Sequence, residues 1–165
     1  MKIKEILKNN RYSFILVFVI FFLDRISKIY VMHLEKSYFE INIFQSKFLN
    51  ITPIWNKGIS FGLFSFDDKY KYHILTALIL IIVLFLIKIA NKEIGIKKFS
   101  FLIIIGGAIG NLYDRIRFNA VFDFIDLHIG GFHWFIFNVS DIFITLGIFF
   151  LIYLEIINKK KSNLS

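Results

Sequence analysis

The chain has 165 residues, no cysteine, 57% hydrophobic residues, a mean hydropathy of +0.67 and 22 phenylalanines. That is more apolar surface than one soluble domain hides, so lipid is the expected solvent; the missing cysteine excludes disulfides, thiolate metal sites and a cysteine nucleophile. A net charge of +8 would suit nucleic acid in a soluble protein, but the lysines cluster beside apolar stretches, as in loops facing anionic lipid, and no nucleic-acid partner is expected.

A basic segment (Lys2, Lys4, Lys8, Arg11) leads into a first apolar span over 12–32. It looks like a secretory signal until it runs into Asp24, Arg25 and Lys28 with no small-residue cleavage site, so it reads as a retained span. Asp24 and Lys28 are four apart and share a helix face. Two readings stand: a structural ion pair that snorkels to the outer interface, or two charges that help bind a polar substrate segment. In the loop 33–71, residues 39–54 alternate loosely between apolar and polar and contain the only proline, Pro53. That pattern suggests short strands on the membrane surface. Phe44, Phe48 and Trp55 suit an interfacial position.

Further spans are expected over 72–90, 99–116 and 139–157, each near the roughly 20 residues that cross a hydrocarbon core. Gly106, Gly107 and Gly110 thin the third, and such residues let membrane helices approach closely. It ends in Asn111, Asp114 and Arg115, with Asn111 and Arg115 on one face. The loop 117–138 is read as a short connection with a Gly130-Gly131 turn between His128 and His133. Those two imidazoles lack further obvious ligands, so no metal and no other cofactor is expected. Segments 1–11, 88–98 and 158–165 hold 11 Lys and Arg in 30 residues, against 7 in the 63 residues of 33–71 and 115–138. The excess marks the cytoplasmic side, which places both termini there and both longer loops outside.

Asp123 follows the third span, and Asp141 opens the fourth, three residues after Asn138. One reading makes Asn138 or Ser140 an N-cap and Asp141 a first-turn carboxylate that satisfies the helix dipole. The other brings the two carboxylates together at neighbouring helix ends. Held close, they cannot both ionise and share one proton. The ionised one then activates water while the protonated one donates to a carbonyl oxygen. The chain has no HExxH. A non-enzymatic transporter or scaffold that runs ions or protons past Asp24, Lys28, Asp123 and Asp141 is the alternative. Against it, the carboxylates lie at one face rather than the midplane, and there is no inverted repeat. A phospholipid-modifying enzyme using the same pair is a third reading.

Five motifs occur in order: Asp24-x-x-x-Lys28, Asn56-Lys-Gly-Ile-Ser-Phe-Gly62, Gly106-Gly-x-x-Gly-Asn-x-x-Asp-Arg115, Val121-x-Asp-Phe-x-Asp126 and Phe137-Asn-x-x-Asp141. Together they resemble the prolipoprotein signal peptidase family, the type II signal peptidases, over nearly the whole chain. With the four spans, the expected fold is an all-α membrane protein, one domain over 1–165. To this the resemblance adds a small extracytoplasmic β-sheet cradle and a lid in the first outer loop. It implies an aspartyl endopeptidase of the bacterial cytoplasmic membrane that cuts diacylglyceryl-modified prolipoproteins just before the lipidated cysteine. By motif, Asp123 and Asp141 match the catalytic pair. Asn56, Gly106, Asn111, Arg115 and Asn138 match residues that line the substrate site, with Asp24 and Lys28 nearby. The implied partners are lipidated prolipoprotein signal peptides, membrane lipid and globomycin-type inhibitors. One departure is Ser140, where the family often has alanine; its hydroxyl is expected to bond the adjacent carboxylate and tune its pKa. Asp114 is read as structural, and Asp126 as a surface or supporting carboxylate.

Overall fold

The computed structural model describes residues 10–37, 43–58 and 69–162. Four long helices run through them: α1 (Asn10–Ser37), α2 (Lys69–Ala90), α3 (Gly95–Phe118) and α4 (Val139–Ser162). Two strands, β1 (Phe44–Gln45) and β2 (Leu49–Asn56), lie between α1 and α2, and two more, β3 (Val121–Ile129) and β4 (Phe132–Phe137), lie between α3 and α4. At about 1.5 Å per residue, even the 22-residue α2 exceeds a hydrocarbon core of about 30 Å. By length and composition, three helices (α2, α3 and α4) are apolar enough to cross a membrane. The 28-residue α1 is long enough but carries Asp24, Arg25 and Lys28 in its second half.

Helix α3 is the hub and packs against the other three. Its apolar window is 67% buried, against 17% for α2 and 11% for α4. The glycines make this closeness available. A Cβ at Gly106 would sit 2.9 Å from Ile20 of α1, and one at Gly107 would sit 2.5 Å from the Ser140 carbonyl oxygen of α4. A Cβ at Gly110 would meet Asp24 Oδ2 at 2.8 Å and overlap Ser140 Oγ. Small residues let helix backbones meet where no hydrophobic force separates helix from lipid. Ala90, Phe101 and Ile105 form the bundle core with Val17, Leu86 and Leu151 around them. The outward faces carry exposed Phe14, Phe85 and Phe149, an arrangement that only an apolar solvent tolerates.

The antiparallel sheet, in the order β1-β2-β3-β4, sits where α1 and α3 end and α4 begins. Val31, Phe122 and Phe124 pin it to α1, with Met32, Ile43 and Ile51 packed around them. The strands expected over 39–54 correspond to β1 and β2. The connection over 117–138 is not a plain loop, however: it is a β-hairpin that supplies half the sheet. Asp123 therefore stands within a strand. The alternation signal failed because β3 is buried on both faces over residues 121–124. Pro53 occupies an interior strand, where it is tolerated because the β2–β3 register shifts between Ile51 and Ile54. Gly130, at φ +60, makes the tight turn between β3 and β4.

Asn119 adopts the left-handed conformation (φ 54) and donates its N–H to the Arg115 carbonyl at 3.2 Å. This cap stops α3 and turns the chain into β3 within two residues. The helices also run past the expected spans: α1 reaches Ser37, α3 covers Gly95–Phe118 and α4 reaches Ser162. The 59–62 part of the Asn56 motif lies outside the described residues, as do 38–42 and 59–68 of the first outer loop in which the lid is expected.

Candidate active site

A charge cluster lies directly behind the site. Lys28 Nζ is 2.6 Å from Asp114 Oδ2 and 3.1 Å from Asp24 Oδ2, and donates to Asn111 Oδ1 at 3.2 Å. Arg25 donates to Asp114 Oδ1 at 2.5 Å and to Asp24 Oδ2 at 2.6 Å, with its guanidinium 4.8 Å from the Tyr113 ring centre. Two acids and two bases balance, and Asp24 and Lys28 are fully buried. The charges of α1 therefore turn into the bundle against α3 rather than snorkelling outward. Asp114 has the structural place expected of it, and also accepts the Phe122 N–H at 3.3 Å. Sequence reasoning missed Arg25 as a member of this cluster and the pairing of both α1 cations with Asp114. The only signal for them was two more opposite charges in apolar spans, each needing compensation.

The two candidate catalytic carboxylates meet through asparagines. Asp123 on β3 accepts Asn138 Nδ2 at 2.6 Å and Asn56 Nδ2 at 2.9 Å. Asp141, in the first turn of α4, accepts Asn111 Nδ2 at 2.8 Å and the Asn138 backbone N–H at 3.1 Å. Asn138 Oδ1 in turn accepts the Asp141 N–H at 3.1 Å, a reciprocal capping box. The capping reading and the convergence reading are therefore both realised. Asn138 holds Asp123 with its side chain and Asp141 with its backbone, and donates to Asn111 Oδ1 at 3.0 Å. Burial pushes the Asp123 carboxyl up to about 7, and the negative charge of Asp141 adds to the effect. The bonds from Asn56 and Asn138 and the charge of Lys28 act in the opposite direction.

Seven of the nine residues singled out from the sequence thus fall in one continuous network: Asp24, Lys28, Asn56, Asn111, Asp123, Asn138 and Asp141. Arg115 donates to the Asn111 carbonyl at 3.3 Å and lies within electrostatic range of both Asp123 and Asp141. Gly106 stands apart, packed under Ile20. Two expectations need correction. The Ser140 hydroxyl is buried and has no hydrogen-bond partner among the described residues; it is the Ser140 backbone N–H that bonds, to Asp24 Oδ1 at 3.0 Å. The hydroxyl points toward the Gly110 notch rather than the carboxylate. Of the two readings of Asp126, surface or supporting carboxylate, only the surface one is overturned. Asp126 is 4% exposed, and takes Asn50 Nδ2 at 3.3 Å and His133 Nδ1 at 2.9 Å.

Asp141 also lines a cleft of about 520 Å³ between the β3–β4 hairpin and α4. The walls are otherwise nearly all apolar, with Leu127, Trp134, Phe137, Leu146 and Phe149 among them. Leu146 and Phe149 are exposed on the outer face of α4, so the cleft opens sideways along the helix. An acid pair with one buried and one half-buried carboxylate beside such a cleft suits attack by water on an apolar substrate that arrives laterally.

Comparison with known proteins bears on what enters that cleft. The family model for signal peptidase (SPase) II matches residues 16–157. The chain is 48% identical over 158 residues to a lipoprotein signal peptidase of Pelagibacter ubique (strain HTCC1062), covering 95% of each chain. It is 38% identical over 160 residues to that of Anaplasma phagocytophilum (strain HZ), covering 96% of this chain and 99% of the relative. Among solved structures, a bacterial membrane enzyme determined by the in meso method at 2.3 Å aligns with a TM-score of 0.69 and 27% identity, over 93% of this chain and 91% of its own.

Proposed function

Because the chain belongs to the signal peptidase II family, we propose that this membrane protease removes signal peptides from diacylglyceryl-modified prolipoproteins, cutting just before the lipidated cysteine. The observation that carries the mechanism is the pair Asp123 and Asp141 joined through Asn138. The pair shares one proton. We assign the proton to Asp123, whose carboxyl burial pushes up to about 7, and the charge to Asp141, which sits at a helix N-terminus and accepts two N–H donors.

The anion takes a proton from water as the water oxygen bonds to the scissile carbonyl carbon. Asp123 gives its proton to the carbonyl oxygen. Collapse of the tetrahedral intermediate breaks the C–N bond: Asp141 returns its proton to the departing amine, and the hydroxyl proton goes back to Asp123. Both carboxyls end in their starting states. Asn56, Asn111, Arg115 and Asn138 border the substrate, Asp24 and Lys28 brace them from behind, and Gly106 serves the close packing of α3 on α1. The apolar cleft along α4 suits a signal segment and acyl chains that enter from lipid.

In this reading α1 is the fourth span, its charges being paired against α3. The lysine-rich segments are cytoplasmic and the sheet lies at the outer face of the cytoplasmic membrane. Globomycin-type cyclic peptides would compete for the same cleft. Incubating purified protein with a diacylglyceryl-modified precursor, and separately with phospholipid alone, tests the proposal by mass spectrometry. A product beginning at the lipidated cysteine is expected. Lipid turnover without peptide cleavage, or a cut elsewhere, would overturn it.

A further inference from the structure

A second cluster of chemically active side chains lies on the β3–β4 hairpin, separate from the carboxylate pair. Along a strand successive side chains alternate faces, so Asp123 and Asp126, three apart on β3, point to opposite sides. Asp126 and His128 share a face. His133 of β4 is the direct cross-strand partner of His128, and Ile136 that of Asp126. One residue separates Asp126 from His128, but two, Trp134 and Phe135, separate His133 from Ile136. That extra residue is a bulge in β4. Because the strand period is two, a one-residue slip exchanges faces, and here it presents His133 to Asp126 and His128 together.

The result is a three-ligand constellation. His133 Nδ1 lies 2.9 and 3.0 Å from the two Asp126 carboxylate oxygens. The His128 and His133 rings stack with centroids 4.9 Å apart and an interplanar angle of 18°. One ligand atom from each of the three residues lies within 4.8 Å of the others. His128 Nδ1 is buried and has no hydrogen-bond partner among the described residues, an unusual state for an imidazole nitrogen. Ligands at about 2.0–2.2 Å around a tetrahedral ion stand roughly 3.3 Å apart. The His133 side chain, which would adjust most in closing to that spacing, is half exposed. Asn50 donates to Asp126 from β2 at 3.3 Å and orients the carboxylate from outside, as supporting groups do in metal sites.

We propose that Asp126, His128 and His133 bind a divalent transition-metal ion of the zinc class. Two imidazoles and one carboxylate favour zinc or copper over calcium or magnesium, which prefer all-oxygen sites. The ion would tie β3 to β4 near the turn, at the far end of the hairpin that carries Asp123 and leads into Asp141. The inference does not rest on the peptidase reading, because no residue of the carboxylate network contributes a ligand.

The test is metal binding by the full chain in detergent, purified without a polyhistidine tag. Titration with Zn²⁺ should show one saturable equivalent and a raised Tm. His133→Ala and Asp126→Asn should each weaken binding about 10–100-fold or more. The His33→Ala/His73→Ala double variant, which removes the other two histidines, and Asp141→Asn should bind as the wild type does. Wild-type protein loaded with Cu²⁺ gives a readout independent of any substitution: its electron paramagnetic resonance spectrum should show hyperfine coupling to two imidazole nitrogens. No saturable equivalent, affinity unchanged by His133→Ala, loss of binding in His33→Ala/His73→Ala or Asp141→Asn, or a spectrum without nitrogen coupling would each overturn the assignment and leave a metal-free Asp126–His133 pair.

Discussion

Replacing Lys28 with methionine keeps the length of the side chain and removes one charge from a buried quartet. Lys28 Nζ faces Asp114 at 2.6 Å and Asp24 at 3.1 Å. At an effective dielectric of about 20, each contact carries roughly 5–6 kcal/mol of Coulomb attraction. Most of that offsets the desolvation of the ammonium, so the sum is not the loss expected. What remains after Lys28→Met is one uncompensated negative charge shared between Asp24 and Asp114, with Arg25 as the only remaining cation of the cluster. Breaking a buried pair in this way costs about 3–5 kcal/mol. Thermal unfolding in micelles should show a Tm lower by roughly 6–20 °C. Lys28→Met/Asp24→Asn restores neutrality and should lose at least about 1 kcal/mol less than the two single changes summed. A Lys28→Met Tm within a degree or two of the wild type would refute the buried-quartet argument. So would strict additivity in the double variant, because charge balance would then not be what holds α1 against α3.

Gly110→Ala should destabilise by about 1–3 kcal/mol, because its methyl meets Asp24 Oδ2 and Ser140 Oγ. Ser140→Ala should be neutral or stabilising, since it removes a buried hydroxyl with no partner among the described residues, and should recover part of the Gly110→Ala loss; chemical denaturation of both single variants and the double checks this. Asp123 titrates near 7 when folded and near 3.9 when unfolded. Its raised value means the protonated form is favoured in the fold, so its contribution is full below about pH 4 and is lost as pH rises through about 7. Wild type should therefore lose roughly 4 kcal/mol of stability in all relative to Asp123→Asn, most of it between about pH 4 and pH 7, and a pH-independent gap would contradict the placement. Cleavage should fall on the alkaline side of pH 7 as the proton held by Asp123 is lost.

Much of this was legible in one sequence. Apolar runs located the three helices long and apolar enough to cross a membrane, and the first run is also a long helix despite Asp24, Arg25 and Lys28. Five short motifs in order marked the residues that meet around Asn138. What was hidden depended on tertiary pairing. The β3–β4 hairpin escaped because residues 121–124 are buried on both faces, which erases the two-residue rhythm by which strands are recognised. Asp126 looked superficial because its partners, Asn50 and His133, reach it only through sheet register and a bulge. The same register supplies the third ligand that His128 and His133 lacked in the sequence. The Ser140 hydroxyl was assigned to Asp141 by adjacency. In the helix that hydroxyl points into the Gly110 notch, and Asp141 is satisfied by Asn111 and Asn138 instead.

In the proposed mechanism Asp123 and Asp141 act as one proton-sharing unit. The most direct measurement is single-turnover cleavage of a diacylglyceryl-modified precursor by Asp123→Asn and Asp141→Asn, with folding checked by thermal unfolding in the same micelles. Each variant should fold, still bind precursor and lose about 10²–10⁴-fold or more in rate, and the double variant should be scarcely slower than either single one. A folded single variant that cleaves within about 10-fold of the wild type would contradict the two-aspartate mechanism.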